Sequence, residues 1–224
     1  MPPQFNNDFG WIQTYSGRRF TLLDPDPDTI VIEDIAHALA NQCRYAGHCL
    51  RFYSVAEHCR ILWELAPDHA KFACLMHDAT EAYLIDVPRS IKEQLKEYKT
   101  IEAKLAKVIA EKFDIPYPWP EEVHELDGRI LLDERAQNMA CYYRPPCPVI
   151  QPTGYFWCDD EADGWPFGVE PLYARLRFYT PQQAEEKFLE AYYEERPNER
   201  VRRDDAASDD VDSEDGRFLS HSGG

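Results

Sequence analysis

The chain begins with a short alternating pattern and continues with a helical period. Residues 10–26 (GWIQTYSGRRFTLLDPD) alternate apolar and polar side chains around Ser16-Gly17, which is typical of a short β-hairpin. Residues 32–46 then place apolar side chains at helical spacing, and Gly47 is expected to end that helix. The pattern therefore predicts a small hairpin followed by a first helix.

Capping signals and periodicity predict five further helices. Ser54, followed three residues later by Glu57, forms a capping-box pattern at the start of a helix over 54–66. The other four are 69–84; 90–113, with Ile91, Leu95, Ile101, Leu105, Val108 and Ile109 facing inward; 120–140, with Leu126, Ile130, Leu131 and Met139 on its apolar side; and 180–195, with Thr180 as N-cap and Pro181 first. The expected fold class is all-α (mainly α), a helical bundle with a small N-terminal β-hairpin.

Two stretches depart from these patterns. Residues 143–171 are rich in proline and aromatic side chains and are expected to form an ordered loop. From Pro197 the composition changes, and residues 204–215 (DDAASDDVDSED) hold seven acids and no aromatic side chain. We therefore expect one domain over 1–196 and a disordered acidic tail over 197–224.

Composition and charge narrow the classes of partner. Hydrophobic residues make up 44% of the chain, enough for a packed core, and the formal net charge is −17. That charge would repel a polymeric nucleic acid, whereas a small anion can still bind beside a local cation because distant charges are screened. No apolar run is long enough for a membrane span and no signal peptide is apparent, so a cytoplasmic location is expected. The seven cysteines lack a CxxC pair and are expected to be free thiols.

One stretch carries ionisable groups where a buried helix is predicted. LMHDATEAY, residues 75–83, places His77, Asp78 and Glu81 among apolar side chains. Burying such groups without partners costs several kcal/mol, so the sequence requires a compensating interaction.

A bound divalent cation would supply that compensation. Two other predicted helices carry His58 and Asp127 between aliphatic residues, so the candidate ligands are His58, His77, Asp78 and Asp127. Imidazole and carboxylate ligands suit Mn, Co, Ni, Fe, Zn or Mg. A single histidine on an apolar helix is more often a satisfied core residue, and spacing alone leaves a metal site and a structural role equally open.

Two further carboxylates have predicted roles beside these ligands. Glu81 is predicted to share one helix face with His77 and Asp78, next to the metal rather than on it. There it could take a proton from an activated water or protonate a leaving oxygen. Glu134 follows Asp127 by two helical turns and is predicted to hold an arginine or a histidine in place.

The order H…HD…D along these helices resembles the HD-domain superfamily of metal-dependent phosphohydrolases. HDATEAYLIDVPRSIK resembles the HDxxE…D.P…K segment of the 5′-deoxynucleotidases of the YfbR type. DIAHALANQCRYAGH…FYSVAEH resembles phage and prophage HD hydrolases, among them the DatZ-like dATP triphosphohydrolases. The resemblance covers about residues 10–195 and leaves the acidic tail outside.

The resemblance implies a role for each matching residue. One divalent metal ion (Co, Mn, Zn, Ni or Mg) would be held by His58, His77, Asp78 and Asp127, with Glu81 and Asp78 as catalytic residues. The implied substrate contacts are Arg44 to the phosphate, Asp86 to the sugar 3′-hydroxyl, Tyr45 where the deoxynucleotidases have a Trp near the 2′ position, and Lys92, which is equally a solvated helix residue. From their position, His48 and Arg51 are candidates for further phosphates, and Trp11 and Phe20 for a wall against the base.

The implied function is hydrolysis of a deoxynucleoside 5′-phosphate, either a dNMP or a dNTP, with dATP the favoured triphosphate. Two alternatives remain open, a phosphodiesterase of cyclic or signalling nucleotides and a non-catalytic nucleotide-binding module. By the same analogy the chain is expected to form a homo-oligomer, a dimer or a hexamer. No membrane and no polymeric nucleic acid is expected as a partner.

Overall fold

The computed structural model describes residues 10–140 and 169–199 of the chain. These ranges are mainly helical, which confirms the predicted all-α class. The helices are α1 (Ile32–Asn41), α2 (Val55–Leu65), α3 (Lys71–Met76), α4 (Glu81–Leu84), α5 (Arg89–Lys92), α6 (Lys96–Phe113), α7 (Glu121–Asn138) and α8 (Pro181–Glu195), and the strands are β1 (Trp11–Gln13) and β2 (Arg19–Thr21). Among the described helices, none combines the length and apolarity that crossing a bilayer requires.

The hairpin forms where the alternating pattern predicts it. Strands β1 and β2 pair antiparallel with Ile12 opposite Phe20, and Gly17 in the turn takes a φ of 81°, which a side chain would strain. Phe20 is fully buried and its ring stacks on Tyr83 with centroids 4.0 Å apart. Phe20 therefore belongs to the core, and its predicted place in a wall against a base is wrong.

Helix α2 lies at the centre of the bundle. It packs against α3, α7, α8 and α1, while α1 also packs against α8 and α4. Eight of its residues are buried, namely Val55, Ala56, Glu57, His58, Cys59, Ile61, Leu62 and Trp63. Because α2 is covered on nearly every side, its polar residues Glu57 and His58 must find partners inside the protein.

The first helix ends earlier than predicted. Helix α1 ends at Asn41, and residues 45–47 all take left-handed φ angles, between 50° and 79°. Cys43, which the pattern assigned to the helix, instead forms an isolated antiparallel bridge with Ser54. Pairing with the chain that leads into α2 thus replaces the last predicted turn of helix.

The single helix predicted over 69–84 is divided into two. Helix α3 ends at Met76 and α4 begins at Glu81, and in the turn between them the Glu81 N–H donates to the Asp78 carbonyl oxygen at 2.9 Å. His77 and Asp78 lie in or beside this turn. The prediction that they share one continuous helix face with Glu81 is therefore wrong.

The helix predicted over 90–113 is likewise divided, into α5 and α6. Leu105 and Ile109 are buried as predicted, whereas Ile91 and Leu95 are 55% and 40% exposed. The two mispredicted side chains lie at or next to the break, where the helical period that pointed them inward does not continue.

The last two helices agree with the prediction. On α7, Leu126 and Ile130 are buried, while Leu131 and Met139 are half-buried. Thr180 caps α8 and forms a reciprocal capping box with Gln183, and Pro181 is the first helical residue. Residues 197–199, assigned to the disordered tail, are helical. The remainder of that tail and residues 143–168 of the predicted loop lie outside the described residues.

Backbone groups of the segment before α8 are held by side chains of α2 and α7. Ser54 caps α2 as predicted, but Glu57 does not complete the capping box; its buried carboxylate accepts the backbone N–H groups of 177–179 at 2.7–2.8 Å. On α7, Asp133 accepts the Leu172 N–H at 2.8 Å, and Gln137 bonds this segment as well. We call residues 169–179 the return segment, and these contacts the return-segment clamp.

Glu57→Gln is expected to lower the free energy of unfolding by about 2–3 kcal/mol, because the amide would turn an NH₂ group toward buried N–H donors. Urea denaturation measures the change. The matched control is Glu64→Gln on the same helix, where the carboxylate is exposed and its pairs with Arg60 at 3.4 Å and with the Arg177 side chain at 3.9 Å contribute about 0.5 kcal/mol or less. Equal effects of the two substitutions would contradict the importance of the clamp.

Candidate metal centre

Side chains from three parts of the fold meet at one point. His58 comes from α2, His77 and Asp78 from the turn after α3, and Asp127 from α7. The His58 Nε2 atom lies 3.3 Å from an Asp127 oxygen and 3.6 Å from an Asp78 oxygen, and the His77 Nε2 atom lies 3.2 Å from Asp78. One candidate ligand atom each from His58, His77 and Asp127 all lie within 4.8 Å of one another. The four predicted ligands are thus brought together.

Hydrogen bonds at the Nδ1 atoms of His58 and His77 determine the tautomer of each ring. The Nδ1 atom of His77 lies 2.9 Å from the carbonyl oxygen of Cys74, and Nδ1 of His58 lies 2.8 Å from a Glu134 carboxylate oxygen. Both partners are acceptors, so both Nδ1 atoms carry hydrogen. In the neutral rings the lone pairs are therefore on Nε2, which is how proteins orient histidines toward a metal.

Both Nε2 atoms are buried without a hydrogen-bond partner among the described residues. Leaving such a nitrogen unsatisfied costs about 1–3 kcal/mol, which a metal ion would recover. Burial and the nearby charge of Arg44 lower the pKa of His58, but the carboxylates of Glu134 and Asp127 outweigh them and raise it to about 9. An ion that binds at neutral pH therefore displaces a proton from this ring. The donor set of two imidazoles and two carboxylates fits a divalent transition metal.

Cys59 lies at the edge of the same cluster. Its Sγ atom is 4.0 Å from both His77 and Asp78. Burial, followed by the charges of Asp78 and Glu81, raises the pKa of this thiol well above its ordinary value. Because metals bind the thiolate rather than the thiol, Cys59 is a poorer ligand here than the carboxylates.

Glu134 links the histidine to a buried arginine. Its carboxylate is fully buried and contacts His58 through one oxygen, while the other lies 3.2 Å from the Arg44 guanidinium and accepts the Tyr45 hydroxyl. Arg44 in turn lies 3.7 Å from Asp78. Burial alone would raise the pKa of Glu134, but the positive charges of Arg44 and His58 outweigh burial and lower the pKa to about 2. The group is therefore ionised. The prediction that Glu134 holds an arginine or a histidine is confirmed for both.

Glu81 lies beside this cluster at the start of α4. It is buried, and its Oε2 atom has no hydrogen-bond partner among the described residues. Its Oε1 atom is 3.9 Å from the Lys92 amine, which lies closer to Glu102, at 2.5 Å. Burial, together with the charges of Asp78 and Asp86, raises the pKa of Glu81 well above its ordinary value. A carboxyl group with a raised pKa in a buried site is suited to proton transfer near neutral pH.

Gln42 positions this segment and was not identified from the sequence. Its amide nitrogen donates to the Glu81 carbonyl oxygen at 2.9 Å, and its amide oxygen accepts the Asp86 N–H at 3.1 Å. Between these two contacts Ile85 takes a φ of 62°, a strained conformation for a β-branched residue. A neutral amide just after a helix carries no motif, so no sequence signal pointed to Gln42.

Arg89 was also missed, although it stands in the PRSIK stretch that carries Lys92. Its guanidinium lies 3.5 Å from Asp127, and its side chain is 70% exposed.

Two residues that were predicted to contact further phosphates, His48 and Arg51, lie in other surroundings. His48 is exposed, and the Arg51 guanidinium stacks on the Phe178 ring at 3.8 Å. Within the described residues, neither side chain contacts the four candidate ligands.

Comparison with known proteins gives relatives without an assigned activity. No protein-family model matches the chain. It is 44% identical over 125 residues to the uncharacterized protein YfdR of Escherichia coli, covering 56% of this chain and 70% of YfdR. It is 36% identical over 123 residues to an uncharacterized protein of Rhodobacter capsulatus, covering 50% of this chain and 63% of that protein.

Proposed function

The chain belongs to the same family as Escherichia coli YfdR, and from its own site we propose that it is a metal-dependent hydrolase of deoxynucleoside 5′-phosphates. One observation carries the proposal. Two buried Nε2 atoms, neither of which has a hydrogen-bond partner in the part of the chain that the structure describes, converge with two carboxylates beside a buried arginine, Arg44. That arrangement joins a cation site to a phosphate-binding group.

Each side chain of the site has a separate role in the proposed reaction. His58, His77, Asp78 and Asp127 hold the ion, which when bound polarises the phosphoryl group and activates a water. Glu81 carries the proton during the reaction, and Arg44 neutralises the charge that develops on the phosphate. Glu134 keeps Arg44 in place and orients His58 through the two contacts of its carboxylate.

Three cations, Arg44, Lys92 and Arg89, lie beside the candidate ligands and Glu81. Arg44 is paired with Glu134 at 3.2 Å and Lys92 with Glu102 at 2.5 Å, whereas among residues 10–140 and 169–199 the exposed Arg89 has a single ion pair, the 3.5 Å contact to Asp127. Arg89 is therefore the cation of this group that most readily turns to a new anion. We assign it to the second and third phosphates of a triphosphate substrate, for which the resemblance favours dATP.

Arg89→Gln is expected to lower kcat/KM for dNTPs about tenfold and to change that for dNMPs little, because a charge-assisted hydrogen bond to the outer phosphates is lost. Steady-state kinetics on both substrate classes measures the ratio. Arg18→Gln, an exposed arginine on the hairpin turn, is the matched control. An equal loss on dNMPs and dNTPs would place Arg89 at the first phosphate instead.

The proposed function is tested by stripping the protein of metal and adding back Mn, Co, Zn, Ni or Mg. Each form is assayed on dNMPs, dNTPs, ribonucleotides and cyclic nucleotides for phosphate and nucleoside release. We expect deoxynucleotide hydrolysis with at least one metal. No turnover on any substrate with any metal would overturn the enzyme proposal, and turnover of cyclic nucleotides alone would favour the phosphodiesterase.

Metal binding is expected to stabilise the fold even without substrate. An ion at about 100 times its Kd adds about 2.7 kcal/mol to the free energy of unfolding. Thermal melts with and without metal measure this shift, which should vanish in His77→Gln and persist in the control His69→Gln, whose ring is exposed beside Glu122. A shift that is unchanged in His77→Gln would place the ion elsewhere.

The expected homo-oligomeric state and the expected cytoplasmic location stay predictions.

A further inference from the structure

Two cysteines lie at the ends of the loop that carries Arg44. The Sγ atoms of Cys43 and Cys49 are 3.5 Å apart, and both residues are free and half-buried. The other cysteines within the described residues, Cys59 and Cys74, are buried. The loop between the pair, residues 44–48, includes the three consecutive left-handed residues.

The backbone holds both ends of this loop in place. Before it, Cys43 is bridged to Ser54, and the Arg44 N–H donates to the carbonyl oxygen of Tyr53 at 2.9 Å. After it, the Leu50 N–H donates to the Asn138 carbonyl oxygen at 2.8 Å. The proximity of the two sulfur atoms is therefore fixed by backbone hydrogen bonds on both sides.

We propose that Cys43 and Cys49 are a disulfide modification site, at which an oxidising small disulfide such as oxidised glutathione closes a ring over residues 43–49. A disulfide bond measures about 2.05 Å, so the sulfur atoms need to approach by about 1.5 Å from their present separation. A movement of that size is available to side-chain rotation near half-buried positions. The chain thus holds the two sulfur atoms within reach of a bond.

The reaction balances without another reagent. One cysteine thiolate attacks oxidised glutathione, forms a mixed disulfide and releases one glutathione thiolate. The second cysteine thiolate then attacks the sulfur of the first cysteine and releases the second glutathione. The protein loses two protons and two electrons, and one oxidised glutathione becomes two reduced molecules.

The ring would restrain the loop that carries Arg44 and Tyr45. Both side chains contact Glu134, and their backbone includes left-handed residues that a free chain rarely keeps. Closing the ring removes alternative conformations of the loop, so oxidation is expected to raise the thermal midpoint by roughly 5 °C. The pairing itself does not depend on the proposed enzymatic function.

Peptide mapping tests the pairing directly. Trypsin cleaves after Arg19, Arg44 and Arg51, so Cys43 and Cys49 end in separate peptides, 20–44 and 45–51. The full chain is treated with oxidised glutathione at mildly alkaline pH, since burial and Cys43 raise the pKa of the Cys49 thiol. Remaining thiols are then alkylated, and the digest is analysed with and without reductant.

We expect a linked pair of peptides 20–44 and 45–51 that reductant separates. It should form faster in the folded protein than in denaturant, persist in Cys74→Ala and vanish in Cys43→Ser. The proposal is overturned if both thiols remain open to alkylation or carry only glutathione. It is also overturned if either one is linked to Cys141, Cys147 or Cys158 instead.

Discussion

Glu81→Gln is expected to lose turnover by about 10²–10⁴-fold while it keeps the metal and the fold, because the amide preserves shape but cannot carry a proton. The choice of Glu81 as the proton carrier follows from its buried position beside the cluster, where burial and the charge of Asp78 raise its pKa and one oxygen has no hydrogen-bond partner among the described residues. Single-turnover assays with the most effective metal and substrate measure the loss.

Two measurements keep this prediction specific. Metal content and the thermal midpoint of Glu81→Gln should match those of the parent protein, which separates lost chemistry from lost structure. Glu102→Gln removes the other carboxylate that contacts Lys92, at 2.5 Å, and should retain most of the activity. Unchanged turnover in Glu81→Gln would mean that another group moves the proton.

Glu134→Gln is expected to lower the free energy of unfolding by about 3–5 kcal/mol, because it removes the nearer of the two carboxylates that balance the buried charge of Arg44. Urea denaturation of the metal-free protein measures the change. The control Glu125→Gln lies on the same helix, where its exposed carboxylate pairs with Arg129 at 2.9 Å, and should change stability by about 0.5 kcal/mol or less. Similar losses in the two variants would contradict the buried network.

The same comparison has an expected pH dependence. The pKa of Glu134 is about 2 in the folded protein, below its ordinary value of 4.5, so the ionised group stabilises the fold above pH 4.5. This contribution is lost as the pH falls from 4.5 toward 2. The difference in stability between the parent protein and Glu134→Gln should therefore shrink over that range, as acid titrations followed by circular dichroism can measure.

Local signals in the sequence were sufficient for part of the fold. The hairpin turn and the start of α8 depend on a few neighbouring residues, Gly17 and the pair Thr180 and Pro181, and the structure has both where they were predicted. Helix α7 was also predicted within a few residues of its ends. In these elements propensity and tertiary packing favour the same conformation.

The remaining differences arise where distant contacts override local preference. Nothing local stops the first helix at Asn41, because its end depends on the pairing of Cys43 with Ser54. Glu57 has the spacing of a capping box, yet it binds backbone groups more than a hundred residues later in the chain. A capping residue and a buried clamp have the same sequence pattern, and only the tertiary structure distinguishes them.

The candidate site likewise contains residues that the sequence identified and residues that only the structure revealed. Its four candidate ligands could be named because ionisable groups among aliphatic residues are costly to bury and therefore stand out in the sequence. Gln42 is neutral and Arg89 is exposed, so neither violates a rule of burial, and both were missed. Glu134 was found through its two-turn spacing from Asp127, which places both carboxylates along one face of α7.

The return-segment clamp also has a consequence for which substitutions its own segment can accept. Glu57 sets the alignment of 177–179 on α2, and Asp133 sets that of Leu172 on α7, through hydrogen bonds to the main chain rather than to particular side chains. Sequence changes in the return segment itself therefore leave this anchoring intact. Proline is the exception, since at 172 or 177–179 it would remove an N–H that Asp133 or Glu57 binds and so loosen the return segment from the helices that carry His58 and Asp127.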